Sequence, residues 1–174
     1  MSDEQKKYVT EKQADAVAGL TKIKNALQVY VDDTEGKVAL SETMKNSICD
    51  YLGMTDSKED VKKLIGQIDK LITFIDGLTL DNFKYDSNRH QAEDADGTKH
   101  QWVAYVCNKV LPIYLCPYFF ENKKNNKTSA GTLIHEVTHI IFKAKDITYN
   151  DQECKELRKN QKTKKMLSKL EVFL

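Results

Sequence analysis

The chain has 174 residues, 40% hydrophobic and 30% charged, which is enough for one domain with a sizeable core and too few to expect two. Its 27 Lys and Arg balance 26 Asp and Glu, and a net charge of +1 supplies no overall field for gripping nucleic acid or an anionic membrane. Apolar runs stop after a handful of residues, far short of the roughly 20 that span a bilayer, so no membrane span is expected.

The N-terminal "MSDEQKKYVTEKQ" lacks the apolar region of a secretory signal of the usual kind. The protein stays where it is made, has been processed, or is exported by a route that reads no such signal. The first predicted helix spans about Asp15 to Val31, where Val17, Leu20, Ile23, Leu27 and Tyr30 or Val31 recur every three to four residues. A second starts near Ser41 and carries Met44, Ile48, Tyr51 and Leu52, with Gly53 as its stop. The third opens at Ser57, has Asp60 three residues on in a capping-box pattern, and runs through Val61, Leu64, Ile65, Ile68, Leu71, Ile72 and Ile75 to Gly77. N-terminal helices therefore account for residues 10–77.

Periodicity then changes. "SNRHQAEDADGTKH", residues 87–100, has almost no apolar residue and is expected to be an exposed loop. His90, Asp94, Asp96 and His100 within it could hold a second metal, although a loop of this kind is more often simply solvated. "QWVAYVCNKVLPIYLCPYFF" is aromatic and β-branched, and predicts two short strands at roughly 102–107 and 113–117 inside a β element of about 101–118. Their exposed edge could align an extended peptide, or the hairpin could only cap the core. A second polar loop ends in Thr128 and Ser129, candidate N-caps for a helix from about Ala130 to Lys145. One or two further helices are expected over 151–172. Their basic run, Lys155, Arg158, Lys159, Lys162, Lys164, Lys165 and Lys169, reads as a solvated face that suits an acidic protein segment better than DNA. Cys49, Cys107, Cys116 and Cys154 form no CxxC pair, and free thiols or two disulfides fit equally. The expected class is mainly α (α+β), a single domain with a small β-hairpin or sheet beside the 130–145 helix.

Two of the four histidines, His135 and His139, stand four residues apart in "GTLIHEVTHIIFKAKDITYN", with Glu136 beside the first. On a helix that spacing turns both imidazoles to one face, where they can converge on one metal ion. Glu136 lies one step round the helix, placed to take a proton from a metal-activated water and pass it to a leaving amine. The alternative is two ordinary polar residues on an amphipathic helix. Leu133, Ile134, Val137, Ile140, Ile141 and Phe142 surround them, however, and buried imidazoles and carboxylate carry a large desolvation cost unless paired or metal-bound. A catalytic zinc needs a third protein ligand. Lys145 stands where a third histidine would be in one zinc-peptidase class, so Asp146, just past the helix end, is the nearest candidate ligand, with Tyr149 three residues beyond it.

"HEVTH" followed closely by "KDITY" resembles the deuterolysin and peptidyl-lysine metalloendopeptidase group, the aspzincins. "IYLCPYFF", "SAGTLIHE", "ECKELRKN" and the closing "EVFL" are similar to the segments flanking that family's zinc helix. A looser likeness reaches back to "YLGMTDSKEDVKKLIGQID", so it covers roughly residues 50–174. The resemblance implies a zincin-like fold, one catalytic Zn²⁺ held by His135, His139 and Asp146, Glu136 as general base, and Tyr149 as the hydroxyl that steadies the oxyanion. Without the resemblance, Tyr149 reads as a loop aromatic covering the core.

The sequence also departs from the family. Ala144-Lys145 replaces the Gly-Thr before the aspartate, Asn150 replaces the glycine after the tyrosine, and the His139-to-Asp146 loop is about two residues shorter. Ser168 occupies the place of the aspartate that reads a substrate lysine, so lysine specificity does not carry over, though Glu171 is close enough to substitute. The cysteine that pairs with Cys116 in secreted relatives has no counterpart in "FKYDSNRHQAEDADG".

The expected function is a zinc endopeptidase with a polypeptide substrate. Its rivals are a zinc hydrolase acting on cell-wall peptides and a non-catalytic zinc-stabilised binding domain. A signal-less protease of this size suits an effector or toxin delivered by a dedicated secretion machine, with a cognate inhibitor protein as companion.

Overall fold

A computed structural model of the chain describes residues 1–52, 54–93, 97, 99–121 and 126–144. Helix α1 is Asp3–Asp32, starting well before the expected Asp15. The start is a capping box: Ser2 Oγ accepts from Gln5 N–H, and Gln5 Oε1 accepts from Ser2 N–H. Val9, Ala16, Leu20, Leu27 and Val31 form its buried stripe, while Ile23, expected inside, is 46% exposed. Lys12 takes a buried place on that stripe, because its ammonium meets Asp15 Oδ2 at 2.6 Å and lies 5.3 Å from the Tyr8 ring centre.

Ser41 caps α2 (Glu42–Asn46) as expected, and the backbone continues as one π-turn over Ser47–Tyr51 that buries Ile48. Gly53, the expected stop, lies outside the described residues. Helix α3 (Lys58–Asp76) begins at Ser57, whose Oγ accepts from Asp60 N–H. The Asp60 carboxylate does not complete a capping box; it binds the Thr55 amide and hydroxyl instead. Val61, Leu64, Ile65, Ile68, Leu71 and Ile75 are all buried. Gly77 closes the helix in a right-handed conformation, and a Cβ there would press to 3.3 Å on the Thr73 carbonyl oxygen.

A 3₁₀ turn, Leu80–Asn82, leads into a three-stranded sheet in the order β1 (Phe83–Tyr85), β5 (Ile113–Leu115), β4 (Ala104–Val106). The β1–β5 pair is parallel and the β4–β5 pair antiparallel, with Tyr105 opposite Tyr114. The two expected strands are therefore present, each three residues long, while β1 was not foreseen. The expected loop at 87–100 needs correction as well. Its ends pair as β2 (Gln91–Glu93) and β3 (Lys99–Gln101), antiparallel, with Trp102 N–H bonding the His90 carbonyl just beyond. This ladder is held by backbone bonds that need no apolar alternation.

Pro117 opens α4 (Pro117–Glu121), and α5 is Asn126–Phe142. Thr128 and Ser129 thus lie inside α5 and do not cap it. Ser129 is buried, donating to the Phe119 carbonyl at 3.2 Å and meeting the Tyr8 hydroxyl at 3.1 Å. Phe119, Leu27, Ile75, Ile113, Leu115, Leu133, Val9, Val61 and Val137 are essentially closed to solvent and form one apolar core. Helix α1 packs against α3, α5 packs against both, and the edge strand β4 packs against α5. The architecture is mainly α with a small sheet, as expected. The helices expected over 151–172 lie outside the described residues. No described helix is long and apolar enough to cross a membrane.

Candidate metal centre

The site helix is amphipathic in an unusual sense, because both of its long faces are occupied. Leu133 and Val137 are fully buried in the core, and the polar Glu136, Thr138 and His139 are also less than one-tenth exposed. Thr138 settles its hydroxyl locally on the His135 carbonyl at 2.7 Å. Ligating atoms of His135, Glu136 and His139 all lie within 4.8 Å of one another, the one group of three such residues among those described.

The two imidazoles face each other edge to face, their ring centres 4.6 Å apart and their Nε2 atoms 3.0 Å apart. His139 Nδ1 lies 3.0 Å from the Ala144 carbonyl oxygen. A carbonyl can only accept, so Nδ1 carries the proton, and in the neutral ring Nε2 keeps its lone pair on the side of His135. Two nitrogen ligands on a tetrahedral zinc stand about 3.3 Å apart at the usual bond length. The observed pair is close to that span, and a histidine ligand anchored through its second nitrogen by a backbone carbonyl is the usual supporting arrangement. These residues therefore fit a zinc ion.

Cys116, at the end of β5, is buried, and its thiol is pushed up to about 11, first by burial and then by the negative charges of Asp86 and Glu136. The strand end thus lies within the field of the site. Neither Cys107 nor Cys116 forms a disulfide among the described residues.

Asp86, just after β1, is a second polar hub that the sequence reading missed. Tyr105 Oη donates to its Oδ2 at 2.6 Å, His90 Nε2 lies 2.8 Å from the same oxygen, and the Asn88 backbone N–H and side-chain amide reach Oδ1. The Tyr105 bond, then the Asn88 amide and His90, hold this carboxyl well below the usual range. His90 is thereby engaged by Asp86 rather than turned toward a second metal. Asp94 and Asp96 of that expected site lie outside the described residues, as do Asp146 and Tyr149, the expected third ligand and oxyanion donor. Cys154, Ser168 and Glu171 lie outside them too.

Two imidazoles with a carboxylate beside them on one helix are the residue pattern in which zinc peptidases use the histidines as ligands and the glutamate as base. The chain belongs to the aspzincin family, described as lysine-specific metallo-endopeptidases, which it matches over residues 42–167. No curated protein and no solved structure matches it. Family membership makes it a zinc-dependent metallopeptidase by class, with polypeptide as the class of substrate.

Proposed function

We propose that the protein is a zinc endopeptidase whose metal is held by His135, His139 and Asp146, with Glu136 as general base and Tyr149 as oxyanion donor. The observation that carries this reading is the pair of Nε2 atoms 3.0 Å apart, with His139 anchored through Nδ1 on Ala144. Zinc, when bound, supplies a Lewis acid that makes water an effective nucleophile near neutral pH.

The chain's own residues do the rest. Glu136, next to His135 on α5 and buried, accepts the water proton on its carboxylate and returns it to the departing amine nitrogen. The Tyr149 hydroxyl donates to the oxygen that gains charge as the carbonyl is attacked. Strand β4, at the sheet edge and packed on α5, offers a backbone along which an extended peptide can lie.

The test pairs metal content of the purified protein with cleavage of an unfolded protein, with and without a chelator. One zinc per chain, chelator-sensitive cleavage, and a Glu136→Gln variant that keeps zinc but loses about two or more orders of magnitude in turnover are the expected results. Full activity in Glu136→Gln would overturn the mechanism. Zinc held without protein cleavage would favour a structural metal, and cleavage confined to cell-wall peptides would move the substrate class.

A further inference from the structure

The turn between β4 and β5 and the end of α5 are joined by two lysines that serve each other. Lys109 Nζ donates to the Lys143 carbonyl at 2.5 Å, and Lys143 Nζ donates to the Lys109 carbonyl at 3.0 Å. Both residues sit in the left-handed region, at φ +58° and +57°. Glycine is the residue that adopts this conformation without steric cost, and it is the usual residue just past a helix end. Lysine at both places accepts that cost, and each side chain returns a bond to the other's carbonyl. A cation at the helix C-terminus also meets the favourable end of its dipole.

The position of this clasp gives it a consequence at the metal centre. Lys143 is followed by Ala144, which is 3% exposed and whose carbonyl receives the His139 Nδ1 proton. Pinning the Lys143 carbonyl fixes the peptide plane leading into Ala144, one residue before the acceptor. An imidazole in water prefers its proton on Nε2, so His139 keeps the opposite tautomer only while that acceptor is in place.

We propose that the Lys109–Lys143 clasp is a positioning device for His139, holding the Ala144 carbonyl so that the ring's Nε2 lone pair stays turned toward His135. The link to zinc rests on the proposed function; the link to the tautomer does not. Neither lysine is among the residues assigned to the metal or to the chemistry. Both act through Ala144.

The experiment uses the full chain with ¹⁵N-labelled histidine, freed of metal, and long-range ¹H–¹⁵N correlation to read which His139 nitrogen carries the proton. Zinc affinity is measured separately by competition with a chromophoric chelator. The wild-type protein should show the proton on Nδ1. Lys109→Met should populate the Nε2–H form and bind zinc about ten-fold more weakly, the low end for loss of a ligand-supporting contact. Lys109→Arg, which keeps a donor, should restore both readouts.

Lys109→Met is the decisive variant, since it removes the side-chain donor that pins the Lys143 carbonyl while leaving the apolar core untouched. Unchanged tautomer and zinc affinity within about two-fold in that variant would overturn the proposal. If the wild-type protein bound no zinc, the proposed function would fall, and the tautomer signal would still decide for or against the clasp.

Discussion

The Tyr8 hydroxyl, in the second turn of α1, lies 3.1 Å from Ser129 Oγ on α5, a contact that spans most of the chain's length. Ser129 also donates to the Phe119 carbonyl, so one buried hydroxyl joins α1, α4 and α5. Tyr8→Phe should lower stability by about 1 kcal/mol, since Ser129 keeps its other partner. Ser129→Ala strands both the phenol and the Phe119 carbonyl, and should cost about 1–3 kcal/mol. Urea unfolding measures both, and an unmoved midpoint in Ser129→Ala would show the junction to be energetically idle.

Cys116 and Cys107 differ in reactivity for a physical reason. The thiolate is the nucleophile, and burial with Asp86 and Glu136 nearby holds the Cys116 thiol protonated up to about 11. A short alkylation pulse near pH 8, read by peptide mass mapping, should label the exposed Cys107 and spare Cys116 until the protein unfolds. Equal labelling in the native state would contradict the burial.

Asp86 predicts an acid-sensitive element. Its carboxyl is depressed in the folded state relative to the ordinary 3.8, so its stabilising effect is complete above that value and is lost as pH falls below it. Asp86→Asn removes the titration while keeping the shape. Comparing urea midpoints at about pH 6 and about pH 3, the wild-type protein should lose more stability than Asp86→Asn. Parallel losses would mean that the bonds from Tyr105, Asn88 and His90 do not favour the ionised form.

Asp146→Ala should weaken zinc binding by an order of magnitude or more, and unchanged affinity would reassign the third ligand. Tyr149→Phe should leave zinc affinity intact and lower kcat by about 10²–10³. A kcat equal to wild type would return Tyr149 to being a loop aromatic.

The helices were legible where the sequence carried local chemistry. Ser41 and Ser57 cap as expected, and the α3 stripe from Val61 to Ile75 is buried throughout, because a 3.6-residue period and a hydroxyl cap act over a few residues. Ser129 was misread because its partners, Phe119 and Tyr8, lie elsewhere in the chain. The start of α1 was overlooked although "SDEQ" carries its capping box. The ladder of β2 with β3 and the three-residue β1 were invisible because backbone pairing leaves no hydrophobic pattern in segments so short. At the site, the helical spacing alone brings His135 and His139 together. The Ala144 carbonyl that orients one of them carries no residue-type signal at all.

The family match begins at residue 42, after α1 has ended. Yet α1 supplies Val9, Ala16, Leu20, Leu27 and Val31 to the core, and Gln13 bonds the carbonyls of Ile75 and Leu78 at the end of α3. A fragment cut where the likeness starts would leave the apolar flank of α3 bare to water, an adhesive surface that favours clumping.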